Sequence, residues 1–170
     1  MEQRVYISHS RQNTGVTLRL YEELSKRGIK MWLDSKDMGS GSDWKQEIKR
    51  AIKAARAFVF LIGPAGLHDE IQRLEWHQVA EGEYYQDPNK AMIPVLIGNP
   101  ELPGFLSDRH ALQIDDSPVS ISAAAENIIA ALDNPSSTID AEKQRHGKAA
   151  RKSFFEGVLQ ESMDLLKGSR

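Results

Sequence analysis

The chain has no cysteine, so disulfides, thiol nucleophiles and the commoner structural zinc sites are excluded. It also lacks an excess of charge of either sign: 22 Lys and Arg against 24 Asp and Glu leave a net −2. A nearly neutral chain has no general field to draw it onto nucleic acid or an acidic membrane, and neither partner is expected. No apolar run approaches the roughly 18 residues of a membrane helix, and the N-terminus has no apolar signal core. The familiar phosphate-loop and hydrolase signatures are missing: neither G-x-G-x-x-G, G-x-x-x-x-G-K-[ST] nor a G-x-S-x-G elbow occurs. The five histidines (9, 68, 77, 110 and 146) keep no metal-ligand spacing, so no metal site is expected. These absences leave a soluble, cytoplasmic protein as the expectation. At 170 residues there is room for one domain and an extension.

What the sequence does have is alternation. "RVYIS" (4–8), "IKMWLD" (29–34), "AFVFLIG" (57–63) and "AMIPVLIG" (91–98) read as strands, with "HALQID" (110–115) a weaker fifth. "AFVFLIG" is apolar throughout, as expected of a strand covered on both faces. Helical patterns lie between them. Thr17, Leu20, Tyr21 and Leu24 share one face, with Gly28 as the stop. Trp44, Ile48, Ala51, Ile52 and Ala55 share another, behind Ser42 or Asp43 as N-cap. Further helices are predicted from about 70 to 82 and over 119–133.

Such alternation predicts an α/β fold: a flavodoxin-like three-layer sandwich, with a five-stranded parallel sheet and helices on both faces. Ligands of such sheets sit outside the carboxyl ends of the strands. Those ends here are "SHSRQN" (8–13), "DSKDMGSGSD" (34–43), "GPAGLHDE" (63–70) and "GNPELPGFLSD" (98–108), rich in glycine, serine and charge. A phospho-acceptor receiver shares this architecture but needs acidic residues after its first strand, where this chain has Ser8, His9 and Ser10. The domain is expected to span 1–133. Residues 134–170 read as a linker from Asp133 to Thr138 and then a helix striped by Phe154, Phe155, Val158, Leu159, Met163 and Leu166. That helix is expected to pack on the domain or a partner subunit, or to lead into a further domain.

The stretches "VYISHSRQN", "LYEELSKRGIKMWLDSKDMGSGSDWKQEIKRAIKAARAFVFLIGPAGL", "RLEWHQVA" and "MIPVLI" occur in an order and spacing that resembles the Toll/interleukin-1 receptor (TIR) domain in its bacterial form. The resemblance covers about residues 4 to 132. It implies that Glu75, on the helix after the third strand, is catalytic in cleaving the bond between ribose and nicotinamide in NAD. NAD is then a substrate, and no cofactor is needed. The family's enzymatic members usually carry W-x-x-x-E at this point. Here the stretch is "IQRLE", so Ile71 stands at the tryptophan position and gives apolar packing without stacking. Trp76 is offset from Glu75 by about 100° around a helix and is not counted as a substitute. Ser8, His9, Trp32, Asp34 and Trp44 would border the same cleft, as substrate-binding residues. The resemblance further implies self-association through TIR–TIR contacts and a role in bacterial defence or signalling, by NAD depletion or a cyclic ADP-ribose messenger. The rival reading is a non-catalytic TIR–TIR scaffold, in which Glu75 is a surface charge.

Overall fold

The structure is a computed structural model and describes residues 4–33, 43–65, 70–81 and 87–139. Its strands are β1 (Val5–Ser8), β2 (Met31–Leu33), β3 (Ala57–Ile62), β4 (Ala91–Ile97) and β5 (Leu112–Ile114). Its helices are α1 (Thr14–Lys26), α2 (Trp44–Ala54), α3 (Glu70–Glu81) and α4 (Pro118–Asp133). All five strands are parallel, in the order β2-β1-β3-β4-β5. This is the flavodoxin-like order, in which the connections leave β1 toward one edge and β3 toward the other.

The two-residue period of the strands sorts the side chains into two cores. Val5, Ile7, Ala57, Val59 and Leu61 face one way and pack with Leu20 and Leu24 of α1 and Ala125 and Ile128 of α4. Tyr6, Phe58, Phe60 and Ile62 face the other way, onto Ile48 and Ile52 of α2 and Trp76 and Val79 of α3. The central strand β3 is buried at all six positions, which is why its sequence is apolar without alternation.

Local chemistry sets the helix ends. Gly28, at φ +81°, takes the left-handed conformation after α1, and Ile29 N–H closes back on the Leu24 carbonyl at 3.1 Å. Asp43, the second of the two residues proposed for the cap of α2, fills that role: its carboxylate accepts from the Gln46 N–H. Helix α4 begins one residue earlier than its pattern suggests, with Pro118 at its first position and Ser117 Oγ accepting from Ser120 N–H at 3.2 Å. Replacing Ser117 by alanine is expected to lower folding stability by about 1 kcal/mol, measured by urea denaturation.

Residues 134–139, linker by composition, are folded onto the domain. Ser137 and Thr138 turn their hydroxyls onto the carbonyls of Asn134 and Pro135, closing a 3₁₀ turn over Pro135–Thr138. His110 N–H donates to the Thr138 carbonyl at 2.9 Å, and Arg109 and Ile139 form an antiparallel bridge. The helix expected beyond residue 139 lies outside the described residues, as does Asp34. Among the described residues no helix is long and apolar enough to cross a membrane.

Candidate active site

In a sheet of this order the crevice opens between the carboxyl ends of β1 and β3. Tyr6 and Ser8 lie two residues apart on β1, so both side chains stand on the sheet face covered by α2 and α3. Register fixes the surroundings of Tyr6, which pairs with Trp32 on β2 and Phe58 on β3. Its ring stacks against both, with centroids 4.7 Å from Trp32 and 4.9 Å from Phe58. The phenol is held from two sides and is wholly buried.

Helix α3 meets this strand through Gln72, Glu75, Trp76 and Val79, each no more than 1% exposed. Their spacing, i, i+3, i+4 and i+7, is that of a core-facing stripe. Two of the four are polar, and both have been given partners. Gln72 Nε2 donates to the Leu61 carbonyl at 3.0 Å, tying the helix to β3. Glu75 accepts on both oxygens: Tyr6 Oη donates to Oε1 at 2.6 Å and Ser8 Oγ to Oε2 at 2.5 Å. Trp76 Nε1 donates to Ser8 Oγ at 3.2 Å, and its ring meets Phe60 edge-on at 5.6 Å.

An indole N–H can only donate, so Ser8 accepts from Trp76 and passes its own hydrogen to Glu75. Two O–H donors, one on each oxygen, are an arrangement that suits a carboxylate. Burying a carboxylate is costly unless hydrogen bonds replace its water. Here an acidic residue occupies a core position of α3 and is held there by donors built into β1.

Of the residues named from sequence, Glu75 and Ser8 are brought into direct contact, and Trp32 joins them through the ring of Tyr6. His9 follows Ser8 and is 8% exposed. Ile71 is half-buried against the aromatic core on the α2–α3 side. Trp44 goes elsewhere. With Lys45, Lys49, Leu74 and Gln78 it lines a separate cavity of about 210 Å³ between α2 and α3, to which none of Tyr6, Ser8 or Glu75 contributes.

Tyr6 and Trp76 were not singled out by sequence. The period of β1 could have found Tyr6, since it must share a face with Ser8. Trp76 is buried in the core rather than presented to a ligand, and its tie to this site is the bond to Ser8. The buried arc of α3 is wide enough to hold positions 75 and 76 together, and both side chains reach Ser8.

The turns after β1 and β3 also meet closely. A Cβ on Gly63 would lie 2.4 Å from Asn13 Nδ2 and 2.6 Å from its Oδ1, so only glycine lets the carboxamide seat there. From that seat Asn13 donates to Ser10 Oγ at 3.1 Å, bracing the turn that follows Ser8. Gly63→Ala is expected to cost about 1–3 kcal/mol of stability by denaturant titration, and less in an Asn13→Ala background where the clash is gone.

A parallel 2-1-3-4-5 sheet with a buried, hydroxyl-bound carboxylate at its switch point defines a flavodoxin-like α/β domain with its candidate site at the carboxyl edge. The TIR domain family model matches residues 5–129, and the chain belongs to that family. Among solved structures it is similar to a metazoan TIR-STING receptor from C. gigas, solved in complex with 2',3'-cGAMP. The identity is 20% and the TM-score 0.63, over 77% of this chain and 39% of that one. It is also similar to the TIR domain of the Toll-related receptor TRR-2 from Hydra magnipapillata. There the identity is 18% and the TM-score 0.61, over 78% of this chain and all of that one. At these identities the likeness shows the fold alone. No curated protein matched the chain.

Proposed function

We propose that this TIR domain cleaves NAD at the bond between nicotinamide and ribose, with Glu75 as the catalytic carboxylate. The observation that carries this reading is an acidic residue kept at a core position, at the sheet's ligand-binding edge, by hydrogen bonds from β1. Ordinary glycosidases need one carboxyl group to protonate the leaving oxygen and a second as nucleophile or base. Nicotinamide leaves from a pyridinium that is already cationic, so the departing nitrogen takes the bonding electrons and becomes neutral without a proton. What remains is to hold the ribose hydroxyls and stabilise positive charge developing at the anomeric carbon. A fixed anion does this well where water is excluded. Water capturing the cation yields ADP-ribose. An internal nucleophile of the same molecule yields a cyclic ADP-ribose isomer.

Ser8 and His9, at the end of β1, and Trp32 are the substrate-side residues of this reading, together with Asp34 and Ile71; Trp44, which lines the separate cavity, is left out of it. NAD is the substrate, and self-association through TIR–TIR contacts completes the active form. Antiphage defence or signalling in a bacterial cytoplasm is the setting that this chemistry fits. One observation favours a second reading, a non-catalytic TIR–TIR scaffold: the position before "QRLE" is Ile71, which offers no aromatic face to a nicotinamide ring.

The test is to incubate the protein with NAD over a range of protein concentrations and follow nicotinamide by chromatography, beside Glu75→Ala. Release that rises more steeply than protein concentration and is lost in the variant supports the enzyme and its control by assembly. Equal release from both proteins removes Glu75 from the reaction. No release, at concentrations where the chain self-associates, supports the scaffold.

A further inference from the structure

The two oxygens of Glu75 are held unequally. Ser8 is the last residue of β1, whereas Tyr6 lies two residues back along the strand, roughly 6–7 Å further from the carboxyl edge. The Tyr6 hydroxyl reaches Oε1 from within the core, and its ring is fixed between Trp32 and Phe58. The Ser8 hydroxyl reaches Oε2 from the edge, where a ligand of such a sheet arrives. One oxygen is therefore anchored from beneath, and the other is held by a donor whose place an incoming hydroxyl can take.

We propose that Tyr6 is a positioning residue for Glu75: its hydroxyl pins Oε1, so that Oε2 is the oxygen that exchanges Ser8 for a hydroxyl of the substrate. The proposal rests on the NAD-cleaving reading for its consequence in turnover, but not for the anchoring itself. Ser8 keeps a partner when it is displaced, because Trp76 Nε1 still donates to it. Without the Tyr6 hydroxyl the carboxyl group loses its donor on Oε1, one that favours the charged form.

Among the described residues, Trp32 of β2, Phe58 and Phe60 of β3, Ile48 of α2 and Trp76 of α3 form the apolar cluster on this face of the sheet. Ionisable groups close to Glu75 in the described chain include His9 after β1, and Arg73 and His77 on α3. All of them are the same in Tyr6→Phe, which removes one oxygen and keeps the ring stack. A difference between variant and parent therefore isolates the hydroxyl.

The experiment is a ¹³C NMR titration of the Glu75 side-chain carboxyl in the parent and in Tyr6→Phe, run beside steady-state NAD cleavage by both. Loss of the anchor is expected to raise the titration midpoint, because a donor that favours the charged form is gone. It is also expected to lower kcat roughly ten- to hundredfold, with KM changed less than about threefold. An unmoved midpoint overturns the anchoring, even if kcat falls, because a merely loosened fold would do that. A raised midpoint with unchanged kcat overturns the positioning role. If the parent protein releases no nicotinamide, the enzyme reading fails, and the titration alone still decides whether Tyr6 anchors the carboxylate.

Discussion

Glu75→Gln is expected to lower nicotinamide release from NAD by about 10²–10³-fold while leaving the domain folded. Glutamine keeps the shape of the side chain and removes its charge, and the hydrogen-bond partners can accommodate the change. Ser8 Oγ already accepts from Trp76 and can still donate to the amide oxygen. The Tyr6 hydroxyl can turn to accept from the amide nitrogen instead of donating. With every buried group still paired, the change in folding stability is expected to stay within about 1 kcal/mol, read from the urea midpoint. Turnover is a different matter, because an amide dipole cannot replace a full negative charge beside a developing cation. Glu75→Ala is a poorer probe, since it leaves two buried hydroxyls without their acceptor and confounds lost chemistry with lost stability.

Trp76→Ala is expected to have the largest effect on stability, about 3–5 kcal/mol by urea denaturation. The indole is 1% exposed, packs edge-on against Phe60 and belongs to the core between the sheet, α2 and α3. A loss of that size is a large fraction of the roughly 5–15 kcal/mol by which domains are stable. The same change frees Ser8 from the donor that fixes its hydrogen, so cleavage is expected to fall as well. Trp76→Phe separates the two roles. It keeps an aromatic ring in the core and removes the N–H with part of the indole, so it should cost less stability than alanine while still losing the bond to Ser8.

The fold was legible because its signals are local. Short apolar runs, glycine and serine at their ends and three-to-four-residue periodicity between them leave few arrangements other than a doubly wound sheet. Glu75 was legible as a candidate only through a resemblance. Nothing in the apolar pattern of α3 marks it, because the buried stripe of that helix contains Gln72 and Glu75. Polar residues at core positions erase the periodicity that would have revealed the face. The Tyr6–Glu75 bond joins residues 69 positions apart and depends on how α3 is rotated over β1, which no local pattern specifies. The Trp76–Ser8 bond is illegible for a related reason: an angle around a helix says where two side chains start, and a wide buried arc lets them end at the same atom. The 134–139 stretch looked like a linker because serine, threonine and proline are common in linkers. Here the hydroxyls close a turn on their own backbone and seat it on the domain.

The most direct measurement is a time course of nicotinamide release from NAD by the parent protein and by Glu75→Gln, both shown to be folded and taken to concentrations at which the chain self-associates. Steady release by the parent, reduced at least about a hundredfold in the variant, is the expected result. Release at the same rate from both proteins, or intact NAD after prolonged incubation with the assembled parent, would contradict a catalytic carboxylate at position 75.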